Sequence, residues 1–118
     1  MKNEPINIFK YMYVSLSIVW KNHKEEKFDL FLAEADPFIT GDDSADPAIF
    51  DSFKKRFMEY GNYDEFGYSF IIKYLAELDS FYGDILKFFL IISKEEYLKN
   101  SQICSELSDE DIINQFDI

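Results

Sequence analysis

The sequence predicts an all-α fold, and three observations lead to that prediction. Apolar residues recur at steps of three and four along most of the chain, which is the spacing of one helix face. Glycine and proline number only 4 and 3 among 118 residues, which disfavours a turn-rich β-sandwich. Aromatic residues make up 19% of the chain, so even this length can fill a core. We therefore expect one compact domain over residues 1–118, a bundle of five to seven helices.

The first helix is predicted from about Glu4 to Asn22, with Pro5 favourable in its first turn. Its apolar face is one row at helical spacing, and a polar row opposes it. The apolar row comprises Ile6, Phe9, Tyr13, Leu16 and Trp20, and the polar row comprises Asn3, Asn7, Lys10, Ser17 and Lys21.

A second helix is predicted from about Lys24 to Ala35, ending before Pro37 because the residue that precedes a proline avoids the α region. The sequence PFITGDDSADP then predicts an ordered loop. Asp46 and Pro47 indicate the N-cap and the first residue of a third helix, and Gly61 indicates its end.

A fourth helix is predicted from about Tyr63 to Leu78. The stretch Ile85–Ile92 is apolar almost all round, which favours a central helix packed on several sides, although a buried strand is also consistent with its β-branched and aromatic residues. Two further helix starts are predicted, at Ser93 from a capping-box pattern and at Ser108 from a similar one.

Charge is distributed unevenly along the chain, whose net charge is −11. Residues 28–53 contain seven acidic residues and no lysine or arginine, and residues 104–118 contain five more acids and again no base. Phosphate binding relies on clustered lysine and arginine, so we do not expect direct nucleic-acid binding. The natural counterpart of such a surface is a basic protein.

No catalytic constellation is visible in the sequence. The lone histidine, His23, lies among charged residues, and the lone cysteine, Cys104, excludes both an intramolecular disulfide and a structural zinc site of the usual composition. The GDDSAD loop is the one candidate for a carboxylate cation site, but its aspartates are also explained as turn residues and, at Asp46, as a helix cap. We expect no catalytic residue, no bound metal and no cofactor.

Tyrosines near predicted helix ends are candidates for a binding face, because tyrosine is enriched in interface hot spots and its hydroxyl stays wet at such positions. They are Tyr60, Tyr63, Tyr68, Tyr82 and Tyr97. The partner-binding residues predicted from charge and tyrosine together are Asp36, Asp42, Asp43, Asp46, Tyr60 and Tyr63. No apolar stretch is long enough for a membrane span and the N-terminus does not read as a signal peptide, so a cytoplasmic protein without membrane contact is expected.

The segment FLAEADPFITGDDSADPAIFDSF, followed by YSFIIKYLAEL, resembles a pattern found in small uncharacterised bacterial proteins. In size and charge the chain is similar to the immunity proteins of bacterial toxin systems. That resemblance implies a protein that neutralises a basic toxin, commonly a nuclease, by covering its active site or an adjacent surface.

The first hypothesis is therefore an immunity or inhibitor protein that binds a basic toxin or enzyme. Two alternatives remain open: a DNA mimic that blocks a nucleic-acid-binding enzyme, and a metal-dependent enzyme or regulator that uses the GDDSAD loop. A DNA mimic needs acids spaced along an extended face, whereas here they cluster in a loop and a tail. A monomer or a weak homo-oligomer is expected.

Overall fold

Seven α-helices and no strand are found in the part of the chain that the computed structural model describes, residues 4–61 and 64–118. The helices are α1 (Pro5–His23), α2 (Asp29–Ala35), α3 (Pro47–Tyr60), α4 (Tyr68–Tyr82), α5 (Ile85–Phe89), α6 (Lys94–Ser105) and α7 (Asp109–Phe116), with 3₁₀ turns at Glu26–Phe28 and Glu65–Gly67. The radius of gyration of the Cα atoms is 12.9 Å, as expected for a compact domain of roughly this length. The all-α prediction is confirmed.

Four helix ends lie where local sequence signals place them. The Asp46 side chain accepts a hydrogen bond from the amide of Ala48, two residues into α3. Ser93 and Ser108 each accept from the amide three residues further on, at the starts of α6 and α7. Gly61 follows α3 in the left-handed conformation, with φ 69°. These predictions are confirmed because capping depends only on neighbouring residues.

Helix α1 is the centre of the bundle and packs against α2, α3, α5 and α6. Every residue from Ile8 to Leu16 is buried, as are Ser17 and Val19. The predicted polar row is therefore wrong at Lys10 and Ser17, each 8% exposed. A helix surrounded by other helices buries polar residues that would face water on a peripheral helix. None of the helices in the described ranges combines the length and apolar character that crossing a membrane requires.

The core of the bundle is built largely of aromatic rings from different helices. The ring of Phe53 on α3 lies 4.9 Å from Phe9 of α1, measured between centroids. It also lies 5.2 Å from Phe70 and 5.0 Å from Tyr74, both on α4. All three arrangements are edge-to-face, the geometry that the quadrupoles of aromatic rings favour. The aromatic stripes of the sequence are thus core packing.

The stretch Ile85–Ile92 is a short helix followed by a turn, so the strand alternative is wrong. Helix α5 ends at Phe89, and its residues Ile85, Phe88 and Phe89 are buried. Leu90 and Ile91 are 48% and 52% exposed, so the stretch is not packed on all sides as predicted. The central position that the sequence indicated for this segment belongs instead to α1.

The start of α4 differs from the prediction because the backbone preceding it is left-handed. Phe66 and Gly67 have φ values of 54° and 70°, and the helix begins at Tyr68 instead of Tyr63. A Cβ atom on Gly67 would lie 2.7 Å from Cγ2 of Ile8, so this approach of the chain to α1 requires glycine.

Tyr97 of α6 forms a hydrogen bond to the turn at Phe66 and Gly67. Its hydroxyl donates to the carbonyl of Phe66 over 2.7 Å, and its side chain is fully buried. The prediction that this hydroxyl lies in water is wrong.

The second helix also begins later than predicted, because Lys24 adopts a left-handed conformation (φ 48°) and a 3₁₀ turn precedes α2.

Candidate functional site

Residues 36–46 form the acidic loop, the connection between α2 and α3 that carries the four predicted aspartates. Backbone hydrogen bonds close it on itself and on α2. The amide of Ala45 donates to the carbonyl of Asp36 over 3.0 Å, and the amide of Asp46 donates to that of Glu34 over 2.7 Å. The amide of Gly41 donates to the carbonyl of Pro37 over 3.2 Å. The predicted ordered loop is confirmed, and its conformation is fixed at both ends.

The four aspartates divide into two that cap backbone amides from partly buried positions and two that are exposed. Asp36 and Asp43 are half-buried, and their carboxylates accept from the amides of Phe38 and Ser44 over 2.9 and 2.8 Å. Asp42 and Asp46 are exposed, and Asp46 also caps α3. The structure therefore brings these four residues together in one loop, with Asp42 and Asp46 facing water.

Ser44 organises this loop, a role that the charge pattern of the sequence does not indicate. Its side chain is buried, with 3% of the residue exposed. The hydroxyl donates to the carbonyl of Asp46 and accepts from the amide of Phe50 over 2.9 Å. It thereby ties the loop to the first turn of α3. A serine two residues before an N-cap aspartate is the only local signal for this role.

The acidic loop is also attached to the body of the bundle. The ring of Phe38 lies 6.0 Å from that of Tyr13, and 5.9 Å from the Lys10 ammonium. A Cβ on Gly41 would lie 3.0 Å from Oδ2 of Asp109, so the loop passes close to the start of α7. Such anchoring keeps the acids in a defined arrangement before any partner arrives, which lowers the entropy lost on binding.

Tyr60 lies apart from this group. Tyr60 is the last residue of α3, whereas the acidic loop comes directly before the first residue of that helix. A helix of this length spans roughly 20 Å, so the two lie at opposite ends of α3. The Tyr60 ring packs 5.5 Å from Phe70, with the Lys73 ammonium 5.3 Å from its centroid. Tyr63 lies outside the described residues. The predicted site set is thus split, and the acidic loop is its coherent part.

The groups that could support chemistry are dispersed. His23 is exposed at the end of α1. Cys104 is buried on α6, where burial raises the pKa of its thiol to about 12, so the nucleophilic thiolate is disfavoured. Across residues 4–61 and 64–118, no three His, Cys, Asp or Glu side chains are placed to hold a metal ion together. In the GDDSAD segment, the carboxylates of Asp43 and Asp46 are engaged with backbone amides.

Comparison of the chain with protein-family models, with curated proteins and with solved structures found no match. Function is therefore inferred from the site itself.

Proposed function

We propose that this chain is a binding protein of the immunity or inhibitor type, which neutralises a basic toxin or enzyme by direct contact through the acidic loop. It acts in the bacterial cytoplasm, as a monomer or weak homo-oligomer, without a cofactor and without catalysis of its own. Its partner is a protein with a basic surface, not a nucleic acid.

One observation carries this proposal: a hydrogen-bonded loop displays Asp42 and Asp46 to solvent in a region, residues 28–53, that contains no lysine or arginine. Complementary charge accelerates encounter and selects the partner, and a chain of net charge −11 adds a long-range attraction for basic proteins. Apolar contact is available beside the acids, because Ile39 in the same loop is 69% exposed. An inhibitor surface typically combines charged residues, which accelerate encounter with the partner, and an apolar side chain, which anchors the complex.

The test is an affinity capture from native lysate, with three forms of the tagged protein as bait. The first is the natural sequence, and the second carries Asp42→Lys and Asp43→Lys. The third carries Glu95→Lys and Glu106→Lys, exposed acids of α6 and its C-cap, and so has the same net charge as the second. Asp46 is left intact because it caps α3. Because Asp43 accepts from the Ser44 amide, amide chemical shifts verify that the loop keeps its conformation in the second bait.

We expect one basic protein at stoichiometric levels with the first and third baits and much less with the second. Equal capture by all three baits would show that the acidic loop is not the binding face, and capture of no basic protein would refute the proposal. If duplex DNA competes with this chain for the recovered protein, the mode of action is DNA mimicry.

A further inference from the structure

A groove between α2 and the C-terminal residues 117–118 has a volume of about 490 Å³. Helix α1 forms its floor with Tyr13, Ser17 and Trp20, and Leu32 and Ala33 of α2 form one wall. Its surface is mostly apolar and it is open to solvent. The volume falls within the roughly 300–1,000 Å³ of typical binding pockets. Sequence analysis did not predict this groove.

The groove is bordered by carboxylates, and the lysine that lines it, Lys21, is already engaged. The Lys21 ammonium lies 3.1 and 3.0 Å from the carbonyls of Phe116 and Asp117 and 3.2 Å from the Asp117 carboxylate. Lys24 lies over the Trp20 ring, 4.2 Å from its centroid.

On the acidic side, Asp29 accepts from the Trp20 indole over 2.6 Å and keeps lone pairs for further donors. The Asp117 side chain is 94% exposed. The rim can therefore accept further hydrogen bonds from cationic groups.

The acidic loop contacts the floor of the groove. The ring of Tyr13, at one end of that floor, lies 6.0 Å from the ring of Phe38 in the loop. Burial, with the charge of Asp36 adding to it, raises the pKa of Tyr13 to about 12, so its phenol stays neutral. The groove and the acidic loop are therefore joined through packed aromatic rings.

We propose that this groove seats the apolar face of a basic amphipathic segment of the protein partner, whose lysines and arginines contact Asp29 and Asp117 on the rim. This inference rests on the proposed function and specifies which part of the partner is recognised. The apolar side chains hold the complex by leaving water, while the surrounding acids set orientation and exclude acidic segments.

The test uses defined peptides in place of the partner. The first is a peptide of about 14 residues, roughly four helical turns, with leucine and phenylalanine at i, i+3, i+4 and i+7 and lysine elsewhere. In the second, serine replaces the apolar residues, and in the third, glutamate replaces lysine. Trp20, the only tryptophan of the chain, lies in the groove, so its fluorescence reports occupancy directly. Amide chemical shifts locate the contact.

Two variants with the same substitution separate the groove from general electrostatics. Ala33→Arg extends a long side chain into the groove from an exposed position of α2. Ala76→Arg places the same charge at an exposed position of α4 that does not line the groove. Ala33→Gln fills the groove without a charge change, and circular dichroism verifies that each variant is folded.

We expect the first peptide alone to change Trp20 emission, with shifts at Ser17, Leu32 and Ala33. Its affinity should fall about tenfold in Ala33→Arg and in Ala33→Gln, a loss of roughly 1.4 kcal/mol, and stay within about twofold in Ala76→Arg. Equal binding of the glutamate peptide, equal effects of the two arginine variants, or no Trp20 response at about 1 mM peptide would overturn the groove assignment. Those results leave the capture experiment on Asp42 and Asp43 unaffected, so failure of the groove assignment can be distinguished from failure of the proposed function.

Discussion

Lys10 and Asp109 form an ion pair that joins the central helix, the last helix and the acidic loop. The Lys10 ammonium lies 2.9 and 3.1 Å from the two carboxylate oxygens of Asp109, and the lysine side chain is only 10% exposed. Asp109 begins α7 and lies beside Gly41 of the loop. Because a lysine in this position needs a counter-charge, the pair couples the stability of the bundle to the placement of the loop.

Replacing Asp109 by asparagine should lower the free energy of unfolding by about 1–3 kcal/mol, since it leaves the Lys10 charge buried without a full counter-charge. Asp111→Asn is the matched control, because Asp111 is exposed in the same first turn of α7. It should lose only about 0.3–1 kcal/mol through the helix dipole. Urea unfolding followed by circular dichroism measures both, and equal losses would contradict a structural role for the pair.

Gly67→Ala should destabilise the fold more than Gly61→Ala, although both glycines have φ near 70°. The new methyl group meets Ile8 in the first case and nothing within 4 Å in the second. We expect a loss of about 1 kcal/mol at Gly61 from backbone strain and about 2–4 kcal/mol at Gly67 from strain plus overpacking. Thermal and urea unfolding of the two variants test the difference, and similar losses would show that α1 can move away from the turn.

Stability should fall at alkaline pH because several buried groups keep their protons in the folded state. Burial raises the pKa of Cys104 from 9.0 to about 12, and burial, with the Cys104 charge adding to it, raises that of Tyr11 from 10.0 to about 12. Below pH 9 both states hold these protons and the stability is fully present. As pH rises from about 9 to about 12 the unfolded chain releases them first, so the free energy of unfolding decreases.

Urea titrations between about pH 8 and pH 11 measure this decrease. Cys104→Ala, less stable at every pH because it leaves a small cavity, should show a shallower decrease between about pH 9 and pH 10. An unchanged slope in this variant would mean that the thiol ionises in the folded protein as it does in the unfolded chain.

Charge reversal at Asp42 and Asp43 should slow association with the captured partner by about tenfold or more at low salt, with a smaller effect on dissociation. Glu95→Lys with Glu106→Lys changes the net charge equally and should have a weaker effect, because these residues lie outside the acidic loop. Surface plasmon resonance at two salt concentrations separates the two rates. An unchanged association rate at low salt would exclude the loop as the steering surface.

Sequence alone predicted the features that depend on neighbouring residues. The caps at Asp46, Ser93 and Ser108 and the end of α3 at Gly61 follow from local hydrogen bonding and backbone geometry, and all four are as predicted. The aromatic core was also predictable, because helical spacing places its rings on one face of each helix.

Features that depend on distant residues were not predictable. Lys10 carries a charge that usually faces water. It is buried because Asp109, 99 residues away in the sequence, forms an ion pair with it. Tyr97 can be buried because its hydroxyl donates a hydrogen bond to the carbonyl of Phe66. That carbonyl belongs to a distant left-handed turn, and the periodicity of the sequence does not indicate that the turn will supply an acceptor. The groove requires α1, α2 and residues 117–118 together, so no single segment carries its signal.

The central position of α1 has a consequence for how the chain folds during synthesis. Of the helices described, α1 is synthesised before those that enclose it, and its contacts with α6 and α7 form only after these two helices have emerged. Closing such long loops is entropically unfavourable and slows folding. The nascent chain therefore exposes the apolar surface of α1 until α6 and α7 have been synthesised, and such surface is prone to aggregation during that interval.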